Sequence, residues 1–236
     1  MRVAVIIPAH NEAAILEGNA RKVWAWGREA FGPDFALVIS ENGSTDSTAW
    51  LSRLLEKLLP GCVAIASKEP GKGGALKRAA AAIEADVYLM MDADLSADLA
   101  CAKSLVEAVG AGADIVIGSR RLPASRVRRP WLRRMVTSAY AAVAEAALGL
   151  GVRDLQCGCK AFSRRVRDEI LPQVRDDGFF FDTELLARLC KAGLSLEEIG
   201  IAWTERGQES GQSKVRLFKD GLEFLKKTAA LRKELG

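Results

Sequence analysis

The sequence predicts an α/β fold with a mostly parallel central sheet and helices on both of its faces. Short apolar runs of strand length alternate along the chain with longer stretches of helical periodicity. Several of these runs contain no polar position, which is typical of parallel strands buried on both faces. Polar residues follow most of the runs, at the strand ends where open α/β sheets bind their ligands. The 236 residues include no low-complexity linker, so we expect a single domain.

The first half of the chain predicts strands and helices in alternation. The predicted strands cover residues 3–7, 35–39, 62–66, 87–91 and 114–118. One predicted helix begins after residue 12, and three more cover residues 48–59, 75–84 and 100–108. Strands that alternate with helices in this way pair in parallel, because each helix crosses back over the sheet.

The second half predicts fewer strands and ends in a helix. Helices are expected at residues 136–148 and from residue 182, and a late strand at residues 196–203. Residues 215–236 predict an amphipathic C-terminal helix. Glu145 interrupts the alanine-rich helix before it, which favours packing or an interfacial position over a membrane span. The N-terminal apolar run is too short for a signal peptide, so we expect a soluble or peripheral cytoplasmic protein.

The cysteines predict no disulfide framework and no zinc site. There are five of them, an odd number, and Cys157 and Cys159 form a lone C-x-C pair. His10 is the single histidine of the chain. Buried free thiols fit this pattern, and a reducing cytoplasm keeps them reduced.

An arginine tract lies in the middle of the chain. Residues 119–144 contain seven arginines and no acidic residue. Such a field attracts phosphates or an anionic membrane surface, and a solvated basic loop is the alternative. A nucleic-acid-binding module would be the non-enzymatic interpretation, but only Trp131 and Tyr140 supply nearby aromatic rings for stacking. We therefore expect no nucleic-acid partner.

Two carboxylates end the most apolar predicted strand. Asp92 and Asp94 are two residues apart, and in extended chain both would face one ligand. Paired carboxylate oxygens suit Mg²⁺ or Mn²⁺, and Mg²⁺ is usually shared with substrate phosphates. The alternative is an acidic turn in which Asp94 or Ser96 caps the following helix.

A glycine-rich loop at residues 71–74 precedes a predicted helix. Its backbone N–H groups could hold a phosphate, with Lys72 adding positive charge. The spacing matches neither the Walker A loop nor the dinucleotide fingerprint. A simple helix-entry turn is the alternative.

Five motifs in order resemble those of family 2 glycosyltransferases with the GT-A fold. They are residues 8–12 (PAHNE), 41–46 (ENGSTD), 71–75 (GKGGA), 92–94 (DAD) and 118–120 (GSR). Three later segments are similar to polyprenyl-phosphate hexosyltransferases: residues 154–162 (DLQCGCKAF), 180–186 (FFDTELL) and 211–214 (GQSK). Within that group the first two look closer to dolichyl-phosphate glucose synthases than to mannose synthases.

The resemblance implies inverting, metal-dependent transfer of a hexose from a nucleoside-diphosphate sugar to a polyprenyl phosphate. UDP-glucose is the favoured donor and GDP-mannose the next, and Mg²⁺ or Mn²⁺ is the implied cofactor. It divides the domain into a nucleotide-sugar-binding half (residues 1–118), an acceptor-binding half (119–214) and the C-terminal helix. Transfer to another acceptor, a sugar hydroxyl or a different lipid, is the enzymatic alternative.

The resemblance also implies roles for individual residues. Those implied to bind the nucleotide-sugar are Pro8, Ala9, Asn11, Glu12, Glu41, Asn42, Lys72, Gly73, Asp92, Ala93 and Asp94. Those implied to bind the acceptor phosphate are Arg120, Arg128, Arg129, Arg133, Arg134 and Lys214. Asp94, Asp154 and Arg120 would be catalytic, Asp182 and Glu184 would orient sugar or acceptor, and Asp94 with Asp92 would hold the metal.

The sequence departs from the family pattern in two of its motifs. Glu41 and Asn42 stand where the family usually has two aspartates, which leaves uridine and guanosine both open. Ser96 stands where a glutamine is frequent, and this could change the metal's ligands.

The implied acceptor predicts how the reaction is catalysed and where it takes place. A phosphate monoester is largely ionised near neutral pH, so it needs placement by arginines more than a general base. We expect the partners to be the donor, the lipid phosphate and a membrane surface bound peripherally on its cytoplasmic face. Because relatives with attached membrane segments exist, we also consider a separate membrane-protein partner.

Overall fold

The structure is a computed structural model that describes residues 1–206 and 217–236, with the backbone alone at residues 132, 133 and 217–222. The strands are β1 (Val3–Ala9), β2 (Ala36–Asn42), β3 (Cys62–Ser67), β4 (Val87–Met90), β5 (Ile115–Ser119), β6 (Arg126–Arg128), β7 (Lys160–Ser163), β8 (Leu196–Gly200) and β9 (Ala202–Thr204). The helices are α1 (Ala13–Phe31), α2 (Thr48–Leu58), α3 (Lys72–Ala82), α4 (Leu99–Gly110), α5 (Trp131–Leu148), α6 (Phe181–Lys191) and α7 (Leu217–Leu235). A short π-helical turn, Val166–Ile170, continues into a 3₁₀ turn, Leu171–Gln173.

Seven strands form the central sheet in the order β3-β2-β1-β4-β7-β5-β8. All pair in parallel except β7, which lies antiparallel between β4 and β5. The predicted α/β fold with a mostly parallel sheet is therefore confirmed. Strand β7 was not predicted, because its short segment contains Lys160, a residue that strand patterns do not place in a sheet interior.

The strands of the first half lie close to where the sequence predicts them, and β1, β2, β4 and β5 are buried on both faces while the edge strand β3 is only partly buried. Strand β4 is fully buried, and the ring of Tyr88 in it stacks on Phe162 of β7 with centroids 5.3 Å apart. The Tyr88 hydroxyl donates to the carbonyl of Ile83 at 3.0 Å, so its polar end is satisfied inside the core.

Two predictions of the second half need correction. The single strand expected at residues 196–203 is two strands in two sheets, because β8 ends at Gly200 and β9 pairs in parallel with β6. No strand was predicted in the arginine tract, yet Arg126–Arg128 forms β6, and the helix expected from residue 136 begins at Trp131. The small second sheet therefore ties the arginine tract to the end of β8.

The C-terminal helix packs against the domain. Phe224 of α7 is buried, with its ring 5.2 Å from that of Tyr140 on α5 and 5.9 Å from that of Phe180 beside α6. Thr228 and Leu231 are buried on the same helix. The side chains predicted to form the start of its apolar face, at residues 215–222, lie outside the described side chains.

Candidate active site

Parallel pairing brings the predicted motifs to one edge of the sheet. The carboxyl ends of β1, β2, β4 and β5 carry, respectively, residues 9–12, 41–46, 92–94 and 118–120. We call Asp92 and Asp94, with the loops beside them, the acid edge. Side chains from distant parts of the sequence meet here because strands of one direction end together.

The carboxylate of Asp92 belongs to a chain of ion pairs. Lys72, the first residue of α3, places its Nζ 3.0 Å from Asp92 Oδ1 and 3.8 Å from Asp182 Oδ2. Lys160 Nζ donates to Asp182 Oδ1 at 2.8 Å and also to the carbonyl of Cys157. Burial alone would raise the pKa of Asp92, but Lys72, Lys160 and Arg120 hold it below its ordinary value. The negative charge of Asp92 is thus balanced by protein cations.

Asp94 differs from Asp92 in its surroundings. Its Oδ1 accepts the backbone N–H of Ser96 at 2.9 Å, and its Oδ2 accepts the Ser96 hydroxyl at 2.8 Å. Burial and the negative charges of Asp92 and Glu12 raise the pKa of Asp94, although the hydrogen bonds from Ser96 oppose this. Asp94 is therefore a fixed carboxylate in a region of surplus negative charge.

The D-A-D segment is a turn and not the extended chain that the sequence predicts. Leu95 has φ 49°, and its N–H donates to the carbonyl of Asp92 at 3.1 Å. The following helix α4 is capped by Asp98, whose side chain accepts the N–H of Ala100. The alternative in which Asp94 or Ser96 caps that helix is therefore wrong. Asn19 of α1, not predicted from the sequence, donates to the carbonyl of Ala93 at 2.8 Å and fixes the turn.

The residues of the acid edge fit a divalent cation with few protein ligands. Among the described residues, no three or more histidine, cysteine, aspartate or glutamate side chains group into a metal site. Asp94 offers hard oxygen donors in surplus negative charge, which is the setting in which Mg²⁺ is held by one carboxylate and substrate phosphates. Ser96 bonds both oxygens of Asp94, so it orients this carboxylate.

The loops after β1 and β2 are braced by their own polar side chains. Asn42 donates to the carbonyl of Ala9 at 2.9 Å and accepts the N–H of Gly71 at 3.1 Å. Glu41 Oε1 accepts the N–H of Ser44 at 2.6 Å. Through these hydrogen bonds the buried side chains of Asn42 and Glu41 connect the end of β1 with the segments that follow β2 and β3. Their contact with a nucleotide stays a prediction.

Residues 11–13 are held by side chains of the loop before α2. Asn11 has φ 53°, in the left-handed region where asparagine is tolerated, and its Oδ1 accepts the N–H of Thr45 at 2.7 Å. Thr48 Oγ1 accepts the N–H of Glu12 at 2.8 Å, and Asp46 accepts that of Ala13. The first amides of α1 are therefore capped by a neighbouring loop, a role for Asp46 and Thr48 that the sequence alone does not reveal. Pro8 is half-buried in β1.

The glycine-rich loop is used for close packing. Gly73 and Gly74 lie inside α3 and donate their N–H groups to the carbonyls of Gly178 and Asp177 at 3.2 and 3.1 Å. A Cβ at Gly73 would stand 2.6 Å from the Cβ of Phe181, which excludes any larger residue without a shift. These two amides already have protein acceptors, so the expected phosphate cradle is not formed by them. Lys72 instead reaches the acid edge.

Asp154 holds Arg120 in place. The carboxylate of Asp154 accepts Arg120 Nε and Nη2, both at 2.7 Å, and the Arg120 backbone N–H at 2.9 Å. The guanidinium also lies 4.9 Å from the ring centroid of Trp203, a stacking partner not predicted from the sequence. Asp154 is buried, and Arg120 holds its pKa below the ordinary range. Asp154 therefore forms a buried salt bridge with Arg120, and a catalytic role for Asp154 stays a prediction.

A basic pocket of about 500 Å³ lies beside Arg120, and we call it the arginine pocket. It is lined by Arg120, Arg121, Leu122, Ser125, Val127, Arg129, Arg134, Thr137 and Ser138. Arg129 also pairs with Glu205 at 2.9 Å, and burial together with Arg120 lowers its pKa. Strand alternation places Arg128 on the opposite face of β6 from the lining residue Val127.

Glu184 does not join the acid edge. Its two oxygens accept the N–H groups of Arg175 and Asp176 at 3.1 and 2.8 Å, and Arg188 donates to Oε1 at 2.8 Å. Glu184 therefore fastens the loop before α6, and of the predicted orienting pair only Asp182 reaches the ion-pair chain. The side chain of Arg133, and Lys214 with its motif, lie outside what the structure describes.

Comparison with known proteins decides the family. Residues 4–171, more than half of the chain, match the family described as Glycosyl transferase family 2. The chain belongs to this family. It is a glycosyltransferase, as the ordered motifs imply.

Relatives match almost the whole of this glycosyltransferase. Glycosyltransferase AglD from Haloferax volcanii is 34% identical over 224 residues, 93% of this chain and 35% of that protein. Polyprenol monophosphomannose synthase from Mycolicibacterium smegmatis is 32% identical over 226 residues, 91% of this chain and 81% of that protein. Dolichyl-phosphate beta-glucosyltransferase from Dictyostelium discoideum is 28% identical, covering 86% of this chain and 66% of that protein. The chain thus spans little more than a third of AglD.

Solved structures confirm the fold. Glucosyl-3-phosphoglycerate synthase from Mycobacterium tuberculosis in complex with uridine diphosphate superposes with a TM-score of 0.69 at 20% identity, covering 97% of this chain and 80% of that one. The mannosyltransferase PcManGT from Pyrobaculum calidifontis, in complex with GDP-mannose and Mn²⁺, superposes with a TM-score of 0.57 at 17% identity. The match covers 99% of this chain and 73% of that one. At these identities the likeness establishes the GT-A-type architecture.

A helix that crosses a bilayer has to be both long and apolar. In the described part of the chain, no helix combines enough length with enough apolar character to cross a membrane.

Proposed function

We propose that this glycosyltransferase transfers a hexose from a nucleoside-diphosphate sugar to a polyprenyl phosphate, with inversion and with a divalent metal ion. The observation that carries the proposal is the arginine pocket next to the acid edge: a basic cavity for an anionic acceptor beside a carboxylate suited to a metal. Relatives named for polyprenol, dolichyl and undecaprenyl phosphates support this acceptor class.

The acceptor phosphate explains the surplus of arginines. It is already an anion near neutral pH, so the protein has to place it and partly remove its water, and no strong base is required. Guanidinium groups bind phosphate oxygens with two parallel hydrogen bonds and stay charged at every relevant pH. Arg120 is pre-oriented by Asp154 and Trp203, so it loses little freedom on binding. Arg129 and Arg134 complete the pocket.

The donor would bind along the acid edge, with Asp94 holding Mg²⁺ or Mn²⁺. When bound, the ion would stabilise the charge that develops on the departing nucleoside diphosphate. Ser96 keeps both oxygens of Asp94 in one orientation, and Lys72 contributes a cation on the Asp92 side. Positioning and charge stabilisation then supply the catalysis.

The donor is proposed to be UDP-glucose, with GDP-mannose as the second choice. The segments at residues 154–162 and 180–186 resemble glucose synthases, and several relatives are named dolichyl-phosphate beta-glucosyltransferases. Other relatives are named for mannose, so the donor panel in the assay must contain both sugars.

We further propose that the protein associates peripherally with the cytoplasmic face of an anionic membrane through α5. Trp131 and Met135 lie one turn apart on this helix with 69% and 60% of their surfaces exposed. Arg134, Thr137 and Ser138 of the same helix line the arginine pocket. A lipid phosphate in the pocket would therefore leave its chain next to an apolar face and basic residues, which suits an interfacial helix.

The test of the reaction is incubation with Mn²⁺ or Mg²⁺, a short polyprenyl phosphate and a panel of nucleotide-sugars. We expect a metal-dependent lipid-phosphate hexose, formed from UDP-glucose in preference to GDP-mannose. Asp94→Ala should abolish it, because several kcal/mol of charge stabilisation correspond to roughly 10³-fold in rate. Product formed only on a sugar hydroxyl, or full activity in Asp94→Ala, would reject the proposal.

The test of the membrane surface is cosedimentation with anionic and zwitterionic vesicles in the absence of substrates. Trp131→Glu with Met135→Glu should reduce binding to anionic vesicles at least several-fold. Trp50→Glu is the matched control, because Trp50 on α2 is 59% exposed but has no part in the pocket. Equal loss in the control, or no vesicle binding by the unaltered protein, would instead favour a separate membrane-protein partner.

A further inference from the structure

The ion-pair chain at the acid edge ends at a lysine that no solvent reaches. Lys160 is 0% exposed and lies in β7, with Met90 of β4 and Ile117 of β5 beside it in register. A charged ammonium in the middle of a sheet needs a carboxylate partner, and Asp182 supplies it. Asp182 is buried as well, so the pair is internal to the protein.

Such a pair is not explained by stability alone. Replacement of a buried ion pair by residues of similar volume is often neutral or stabilising, because taking two charges out of water is costly. The pair of Lys160 and Asp182 differs from an isolated one since Asp182 is shared. Its second oxygen lies 3.8 Å from Lys72 Nζ, and Lys72 contacts Asp92 at 3.0 Å.

These contacts form a continuous chain from the protein interior to the acid edge. Lys160 neutralises Asp182, Asp182 holds one side of Lys72, and Lys72 meets the carboxylate of Asp92. Gly158 fixes the other side of Asp92, because a Cβ at Gly158 would stand 1.8 Å from Asp92 Oδ2. Asp92 is thus confined between a backbone and an ammonium whose own position depends on the buried pair.

We infer that Lys160 is a positioning residue: through Asp182 it sets the place of the Lys72 ammonium and, through Lys72, that of Asp92. The inference rests on the proposed function, in which the acid edge binds the nucleoside diphosphate. Because Lys160 is fully buried, its effect would reach the donor through Lys72 and Asp92. The segment at residues 154–162 therefore contributes Asp154 to the acceptor side and Lys160 to the donor side.

The experiment is a mutant cycle read out by calorimetric binding of uridine diphosphate in Mn²⁺ and by the rate of transfer. Lys160→Met with Asp182→Asn removes both charges at nearly constant volume. We expect melting within a few degrees of the unaltered protein and about tenfold weaker binding or slower transfer, since displacement of a positioning group by 1 Å can cost up to ~10²-fold.

Lys72→Met closes the cycle. In the unaltered protein, Lys72→Met should weaken diphosphate binding or slow transfer roughly ten- to a hundredfold. In the Lys160/Asp182 variant the same substitution should change them less than about threefold, because the effects of substitutions within one network are not additive. A merely structural role for Lys160 would leave the effect of Lys72→Met unchanged in both backgrounds. That additive outcome would overturn the inference.

The matched control is Lys77→Met with Asp177→Asn. Lys77 also lies on α3 and pairs at 2.7 Å with Asp177 in the loop before α6, yet it does not contact the acid edge. Binding and transfer should stay within twofold of the unaltered protein. An equal loss in this control would show that looser packing of α3 is the cause and would overturn the inference.

Failure of the variant to fold and failure of the proposed function can each be distinguished from failure of the positioning role. If the Lys160/Asp182 variant does not fold, Lys160→Met alone replaces it in the cycle, because Asp182 then keeps the Lys72 ammonium as its partner and no buried cation is left without a carboxylate. If the unaltered protein binds no uridine or guanosine diphosphate, the proposed function fails and this inference fails with it. Normal nucleotide binding with an additive cycle contradicts the positioning role alone.

Discussion

At the acid edge, the charge of Asp92 is matched within the protein, whereas among the described residues of the arginine pocket arginines outnumber their acidic partners. Asp92 has Lys72 at 3.0 Å, and Lys72 has Asp182 as a second partner. In the pocket, Asp154 pairs with Arg120 and Glu205 with Arg129, while Arg121 and Arg134 add two more guanidinium groups to the lining. Burial lowers the pKa of Arg121 and, with Arg120, that of Arg129, as expected where cations crowd together.

The difference teaches how the two substrates are expected to be handled. A region whose charges are already paired is rigid before binding and can define the geometry of a donor. A region with surplus positive charge is stabilised when an anion binds, and the affinity for that anion falls as the ionic strength rises. Asp94 is the exception at the acid edge, because burial and the negative charges of Asp92 and Glu12 raise its pKa. That exception is where a cation is expected.

The largest effect is expected from Arg120→Lys. Lysine keeps the charge beside Asp154 but loses the two-pronged contact and the stacking on Trp203, so the pocket loses its fixed member. We expect kcat/KM for the acceptor to fall by about 10²- to 10³-fold, in the range found when one pre-oriented charge-stabilising donor is removed. Arg165→Lys, in an exposed pair with Glu169, is the control. Near-normal kcat/KM in Arg120→Lys would mean that the pocket does not bind the acceptor.

The second effect concerns stability and its dependence on pH. Asp154→Asn leaves the buried Arg120 without its carboxylate, which should cost about 3 kcal/mol of unfolding free energy near pH 7. Arg120 holds the pKa of Asp154 below its ordinary 3.8 when folded, so this contribution is complete above that value. It is lost as the pH falls through the lowered folded value, because the unfolded chain then binds the proton more readily.

The measurement is urea unfolding of the unaltered protein and of Asp154→Asn between pH 7 and pH 3. The difference in unfolding free energy should be constant down to about pH 4 and shrink below it. Growth of the difference on acidification would contradict the assigned direction of the Asp154 pKa.

Much of the acid edge could be predicted from the sequence, because its strands and motifs obey local rules. The apolar runs of β1, β2 and β4 and the polar residues after them place the acid edge without any knowledge of tertiary contacts. Partners distant in sequence could not be predicted. Trp203 meets Arg120, and Asn19 meets Ala93, only because the sheet order brings separate segments together.

The second half of the chain was less predictable because its short elements carry weak signals. Strand β6 has three residues, two of them arginines, and β7 places a lysine inside the sheet. Periodicity cannot reveal a buried charge whose partner lies on another element. Lys160 on β7, which pairs with Asp182 on α6, is such a charge. The same limit applies to Glu184, since its helix position favours an acid whether it serves a loop or a substrate.

A smaller effect is expected from Arg134→Gln. Arg134 is an exposed lining residue of the arginine pocket, so its contact with a phosphate is partly screened by water. We expect KM for the acceptor to rise about tenfold at low salt, at the lower end of the range for hydrogen bonds to charged groups, and less at higher ionic strength. Arg128→Gln removes a charge from the other face of β6 and should change KM less. Equal effects of the two variants would indicate a diffuse field and no defined pocket.

The smallest effect is expected from Ser96→Ala at the acid edge. The substitution removes the hydroxyl that Asp94 Oδ2 accepts at 2.8 Å but keeps the backbone N–H that Oδ1 accepts at 2.9 Å. One lost hydrogen bond of about 1 kcal/mol should raise the Mn²⁺ concentration for half-maximal transfer roughly fivefold and leave the acceptor KM unchanged. Ser104→Ala, on the exposed side of α4, is the control. A rise in the acceptor KM with no change in metal requirement would place Ser96 with the arginine pocket and would contradict the separation of the two regions.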